Sequence, residues 1–182
     1  MADSWHGYAL TGGHVALDLV NTLSWRLSPE RTFDRLPMPG FVPRWLVETG
    51  LTSAALDCTR VTTDLIELRE TICGICTGGP TTERFSEFVA AAHIHAVAEL
   101  DLPLRWTVPI AEPEDVVHAL ALAADELLRS PDAKLIRECS GHGCGWLFVD
   151  RTRNHSRQWC SSQDCGNRER GRRHRQRGTR PG

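Results

Sequence analysis

Through much of the first 130 residues, apolar side chains recur every three or four positions, and only short stretches alternate. Residues 52–77 carry Val61, Leu65, Leu68, Ile72 and Cys76 at that spacing and predict a helix, stopped by Gly78, Gly79 and Pro80. Thr81 or Thr82 caps a second helix with an apolar face of Phe85, Phe88, Val89, Ala92, Ala96 and Leu100. Pro113 opens a third in its favoured first-turn position, with Glu114 and Asp115 at the positive end of the helix dipole. Its buried stripe is Val116, Val117, Leu120, Ala124, Leu127 and Leu128, closed by Arg129 and Pro131. Alternation predicts a strand over 14–20, with Val15, Leu17 and Leu19 on one face, and another over 102–111. In the second, Leu102, Leu104, Trp106, Val108 and Ile110 oppose Pro103, Arg105, Thr107 and Pro109, and the prolines place it at a sheet edge. Residues 28–43, with four prolines, are irregular loop.

The pattern changes after residue 130. Cys139 and Cys144 form one closely spaced pair, Cys160 and Cys165 another, with fifteen residues between them. Two such pairs bring four thiolates to one tetrahedral ion. Gly141, Gly143 and Gly145 permit a tight knuckle in which backbone amides approach the sulfurs, and 146–149 are strand-like. Ser161 and Asp164 have capping-box spacing, which puts Cys165 in the first turn of a helix. Knuckle, hairpin and ligand-bearing helix resemble a treble-clef zinc finger. A closed four-cysteine site leaves no open coordination position, so the zinc is expected to be structural. The expected fold is α+β: a mostly helical domain over 1–130 with a few strands, then a small finger over 131–182 ending in a basic helix.

Composition sharpens this division. The formal net charge of −2 conceals an asymmetry: residues 1–138 hold 11 Lys and Arg against 20 Asp and Glu, residues 139–182 hold 10 Arg against three acids. An acidic body with a basic end is expected where one end meets an acidic polymer. Candidate nucleic-acid contacts are Arg151, Arg153 and Arg157 after the hairpin, and Asn167, Arg168, Arg170, Arg172, Arg173, Arg175 and Arg177 on the terminal helix. On that helix Arg168, Arg172 and Arg175 share one face, while Arg170, Arg173 and Arg177 share another. Like charges so stacked repel, and phosphates would relieve the repulsion. A competing role for Arg157 and Arg168 is to balance the zinc–thiolate charge. Seven cysteines, an odd number with four clustered, favour metal over disulfides and a reducing, cytoplasmic setting. No membrane-spanning run and no secretory signal are visible.

The run from Cys139 through Trp146, Asp150, Arg157 and Trp159 to Cys165-Gly166-Asn167-Arg168 resembles the CGNR zinc finger, named for its last four residues. The stretch from Gly13 through Leu17 and Asp18 to Asn21 and Thr22 resembles the opening of its usual partner, the ABATE domain. The resemblance implies zinc on the four cysteines, DNA binding by the finger and a role as a stress-induced bacterial transcription regulator. Gln158, where the family usually has Arg, and Gly171 within the basic helix depart from the pattern.

The leading expectation is a DNA-binding regulator, not an enzyme, whose N-terminal domain senses a small-molecule effector or a stress signal, or forms a homodimer. The alternative is a small-molecule-binding or enzymatic N-terminal domain whose finger staples the C-terminus or docks a protein. No nucleophile–base pair, phosphate loop or open metal site is legible in the first 138 residues. Asp18, Asn21 and Thr22, polar residues after an apolar stretch, are candidates to line an effector pocket; turn chemistry is the other account of them. Cys73 and Cys76 form a CxxC near the end of a helix rather than at its start, which favours core packing over redox chemistry. His93 and His95 cannot share a helical face, and His118 stands alone in its helix.

Overall fold

A computed structural model describes residues 8–79, 82–100 and 102–178, with the side chains of Thr82 and Arg177 left out. The body is built on three long helices: α3 (Thr62–Cys76), α4 (Thr82–His95) and α5 (Pro113–Arg129). Two short helices precede them, α1 (Val15–Val20) and α2 (Phe41–Glu48). The strands are all short and antiparallel in pairs: β1 (Leu23–Ser24) with β2 (Phe33–Asp34), β3 (Val97–Glu99) with β4 (Arg105–Thr107), and β5 (Ile136–Glu138) with β6 (Leu147–Val149). The last helix, α6, spans Asn167–Gly178.

The helical periodicity of the body is realised. Leu65, Leu68 and Ile72 of α3 and Val116, Leu120 and Ala124 of α5 are fully buried against one another and against α1. α3 begins ten residues later than the pattern suggests, after a turn in which Asp57 accepts from the Thr59 N–H at 3.0 Å and a 3-10 helix at Thr59–Val61. Its end follows expectation: Gly78 has φ +82 and Gly79 N–H returns to the Gly74 carbonyl. Pro80 and Thr81 lie outside the described residues.

Two expected strands are corrected. Residues 15–20 are helix α1, capped by His14, whose ring accepts from the Ala16 N–H at 3.3 Å. The alternation was uninformative there because Ala16, Asp18 and Val20 are buried as well as Leu17 and Leu19: the helix is enclosed on every side. Of 102–111 only Arg105–Thr107 pairs, as the outer arm of a hairpin with β3. The first part of its supposed core face looks outward, with Leu102 92 % exposed and Trp106 48 %, while Val108 is buried and Ile110 packs against the core. α4 stops at His95, so Leu100 falls in the hairpin turn, 93 % exposed. The proline-rich loop also gains order: Pro43 sits in the first turns of α2, and Trp45 of that helix is fully buried.

The hydrophobic core does not stop at residue 130. It runs from Tyr8 and α1 into Trp146, Leu147, Phe148 and the four finger cysteines.

Candidate metal centre and nucleic-acid face

The hairpin of β5 and β6 positions the first pair of cysteines. Glu138 pairs with Leu147, so Cys139 leaves the hairpin on one arm and Cys144 approaches it on the other. The Cys139 N–H donates to the Trp146 carbonyl at 2.8 Å, and its sulfur accepts from the amides of Gly141 at 3.4 Å and Cys160 at 3.2 Å. From the opposite side, Ser161 Oγ accepts from the Asp164 N–H at 3.2 Å and starts a π-helical turn, Ser162–Gly166, that carries Cys165 and runs into α6. All four cysteines are buried, and their sulfurs lie within 4.8 Å of one another. Cys144 Sγ is 3.8 Å from Cys160 Sγ, and Cys160 Sγ is 3.5 Å from Cys165 Sγ. A tetrahedron with Zn–S bonds of about 2.3 Å has edges of about 3.8 Å, close to these two separations. Crowding alone would set the thiols against one another: hydrogen bonds from the other three push Cys139 down, and the same contacts push Cys160 up. A dication resolves that conflict by holding all four as thiolates.

The finger is joined to the body through backbone groups that Asn21 satisfies. Its Nδ2 donates to the Leu147 carbonyl at 2.9 Å and its Oδ1 accepts from the Leu147 N–H at 2.8 Å, so a side-chain amide occupies the place of a neighbouring strand beside β6. The Val149 N–H donates to Gly12 O at 2.9 Å, continuing that edge. On the knuckle, Arg26 and Leu27 N–H donate to the carbonyls of Cys144 and Gly143. Gly143 has φ +73, and a Cβ there would stand 2.8 Å from Ser28 Cβ; the turn and the approach of the body both need glycine.

α6 begins inside the metal site. Arg168 Nη2 donates to Cys165 Sγ at 2.9 Å, pairs with Asp164, and lies 4.5 Å over the Trp25 ring. Arg31 stacks on the same ring at 3.2 Å, so Trp25 is held by two guanidiniums. A groove of about 280 Å³ follows, lined by Arg31, Arg168, Arg172 and Arg175 together with His142 and Asn167. Glu169, buried beneath it, accepts from the His142 N–H at 3.0 Å and pairs with Arg172 at 2.8 Å.

The family comparisons divide the chain where the chemistry does. The CGNR zinc finger model matches residues 136–178, and the ABATE model, described as "Putative stress-induced transcription regulator", matches residues 13–131. The chain belongs to the ABATE family. No curated protein matches it. In this ABATE protein the four buried cysteines of the CGNR finger fit one structural zinc ion.

Other sequence candidates fall in several places. Arg170 donates to Asn167 Oδ1 and the Ser162 carbonyl, and Arg173 lies 6.0 Å from the Trp159 ring. The Arg177 side chain lies outside the described residues. Arg151 pairs with Asp132 at 2.6 Å and donates to Gly13 O, while Arg153 is exposed. Arg157 stacks on Phe148 at 4.1 Å and donates to the carbonyls of Thr11, Trp159 and Cys160. It thereby ties finger to body, whereas Arg168 takes the thiolate-balancing position.

Asp18 and Thr22, like Asn21, turn inward. Asp18 Oδ1 accepts from the Gly12 N–H at 2.9 Å, and Thr22 Oγ1 donates to Leu19 O and accepts from Arg69. Arg69, itself buried, also makes a two-bond contact with Asp34. Cys73 packs in the core, and burial pushes the Cys76 thiol up to about 12, the opposite of an activated redox pair.

Several contributors escaped the sequence reading. Trp25 stands just before the proline-rich segment and Arg31 within it, with no periodicity to mark them. Asp150, buried after β6, accepts from the amides of Thr152 and Arg157 and shapes the loop between the cysteine pairs. Its place between an apolar run and a polar loop was the available signal. Among the described residues, no helix is long and apolar enough to cross a membrane.

Proposed function

We propose that this ABATE protein is a zinc-organised DNA-binding regulator of the cytoplasm, without catalytic activity, whose body receives an effector or stress signal. The observation that carries this reading is the groove along α6. Four arginines, three from the helix and one from the body, line it, and the helix starts on a zinc ligand. A cationic face of this kind gains free energy by releasing counterions from a phosphate backbone. The zinc contributes by fixing the direction of α6, whose stacked arginines and Gly171 make it a poor helix alone. In a homodimer two such fingers would address two half-sites, the usual solution for a module that reads few base pairs.

Docking of the finger supports the second reading, a stapled C-terminus attached to a ligand-binding or enzymatic body. The Asn21, Arg151 and Arg157 contacts already commit much of the finger's polar surface to the body.

The deciding experiment is fluorescence anisotropy of a random-sequence duplex against zinc-loaded protein over a salt series. The regulator reading expects micromolar binding with a steep salt slope. Cys165→Ser should abolish it, and Arg172→Ala should weaken it uniformly and flatten the slope by about one unit. No binding at low salt, or binding indifferent to both substitutions, favours the stapled finger.

A further inference from the structure

Away from the finger, the fold brings together three donors that the sequence keeps apart. His95 is the last residue of α4, and Asp115 and His118 stand one turn apart at the start of α5. Their ligand atoms lie within 4.8 Å of one another. The two imidazoles are stacked, with centroids 4.2 Å apart and planes inclined by 13°.

Asp115 and His118 have coordination capacity left over from their structural duties. Asp115 Oδ2 accepts from the N–H groups of Ala111 and Glu112 at 3.0 and 2.9 Å and so caps α5, which leaves Oδ1 uncommitted to that cap. His118 Nδ1 is shielded from solvent and has no hydrogen-bond partner among the described residues. A buried ring nitrogen left unpaired costs about 1–3 kcal/mol, a cost that a ligand on that nitrogen removes. Burial, followed by the neighbouring His95, lowers the His118 pKa, which keeps its ring in the neutral form that coordinates metals. Beside the cluster, Glu114 pairs with Arg60.

We propose that His95, Asp115 and His118 form a second metal site, for an exchangeable divalent transition ion. Two imidazoles and one carboxylate suit zinc, nickel, cobalt or copper over magnesium or calcium, which take oxygen donors. Nitrogen and oxygen donors around such an ion at about 2.0–2.1 Å stand about 3 Å apart. Reaching that value from separations within 4.8 Å requires the side chains to rotate, and His95 is exposed while Asp115 and His118 are half-buried, which gives them room to do so. Three protein ligands leave at least one position for water, in contrast to the closed four-cysteine site, so this ion should exchange while the finger keeps its zinc. Within the proposed regulator, the site offers the body a signal of defined chemistry. The binding itself does not rest on the DNA reading and is measured without DNA.

The test uses full-length protein with zinc in the finger, dialysed against cobalt(II) at neutral pH and followed by metal analysis and absorption spectroscopy. The expected result is one further metal equivalent per chain, with weak d–d bands and no sulfur-to-cobalt charge transfer. His118→Ala and His95→Ala should each lose that equivalent and retain the zinc. His93→Ala, whose ring packs edge-on against Trp106 instead, should keep both. His95 is exposed at a helix end, so its replacement leaves the core intact, and circular dichroism verifies this. A single equivalent in the wild type, a second that survives both substitutions, or one showing thiolate charge transfer would each overturn the site.

Discussion

The body and the finger reach the same buried core from different chemistry. In the body, Leu65, Leu68, Ile72, Val116, Leu120 and Ala124 fill the space between helices, and removing water from apolar surface is the driving force. In the finger, the buried set is Trp146 to Val149 and four cysteines, and the following helix has hardly an apolar residue. So small an apolar set cannot offset the entropy of ordering the 40-odd residues after 138. Zinc and the body's edge make up the difference. The comparison teaches that the finger is held by the ion and by a set of contacts with the body, among which Asn21 clasps β6 on both backbone groups of Leu147, and that the ion and this clasp can be tested separately.

The largest effect should come from the ion. Cys160→Ser, or a strong chelator, should release zinc and disorder the finger, since apparent binding energies of structural zinc reach about 10 kcal/mol or more at neutral pH. Metal analysis should show the loss, and far-UV circular dichroism should retain the signal of α3 to α5. Loss of body helices together with the metal would show that the two regions fold as one unit.

Cutting the other attachment should cost less. Asn21→Ala strands the Leu147 N–H and carbonyl in a buried place, each worth about 1–3 kcal/mol. Denaturant unfolding should show a destabilisation of about 2–4 kcal/mol with zinc still bound. Asn21→Asp, which keeps an acceptor for the Leu147 N–H, should recover only part of it. An Asn21→Ala protein as stable as wild type would remove the second attachment from the comparison.

The smallest effect concerns the body beside that joint and appears as pH dependence. Burial pushes the Asp18 carboxyl up from 3.8 to about 6 against hydrogen bonds from Gly12 and Thr11 that favour its charge. The folded protein therefore holds this proton more tightly than the unfolded chain. The Asp18 contribution to stability is highest below pH 3.8, falls as pH rises to about 6, and is level above. Its span is at most about 3 kcal/mol. Asp18→Asn keeps an oxygen acceptor for Gly12 and cannot ionise, so its advantage over wild type should grow across that window. Parallel stability–pH curves for the two proteins would refute the assignment.

Legibility in the sequence followed local chemistry. The zinc ligands were readable because coordination imposes spacing on residues near one another in the chain. α5 was readable because Pro113, the acidic first turn and one apolar stripe all act within that segment. α1 was not, because a helix enclosed on all sides has no polar face to set a period. The strand over 102–111 misled for the opposite reason: Leu102, Leu104 and Trp106 alternate yet lie exposed at a three-residue ladder, and Val108 and Ile110 reach the core from beyond it.

What the sequence alone determined, then, was the division into an acidic helical body and a basic four-cysteine finger, since charge, periodicity and ligand spacing are properties of contiguous residues. What only the tertiary structure decided was how distant residues meet. Asn21 serves as a strand for β6, Trp25 and Arg31 join the arginines of α6, and His95 comes to lie against His118. The physical reason is that a side chain's partner is set by the packing of whole elements, and no local pattern records which face of one helix will meet the end of another.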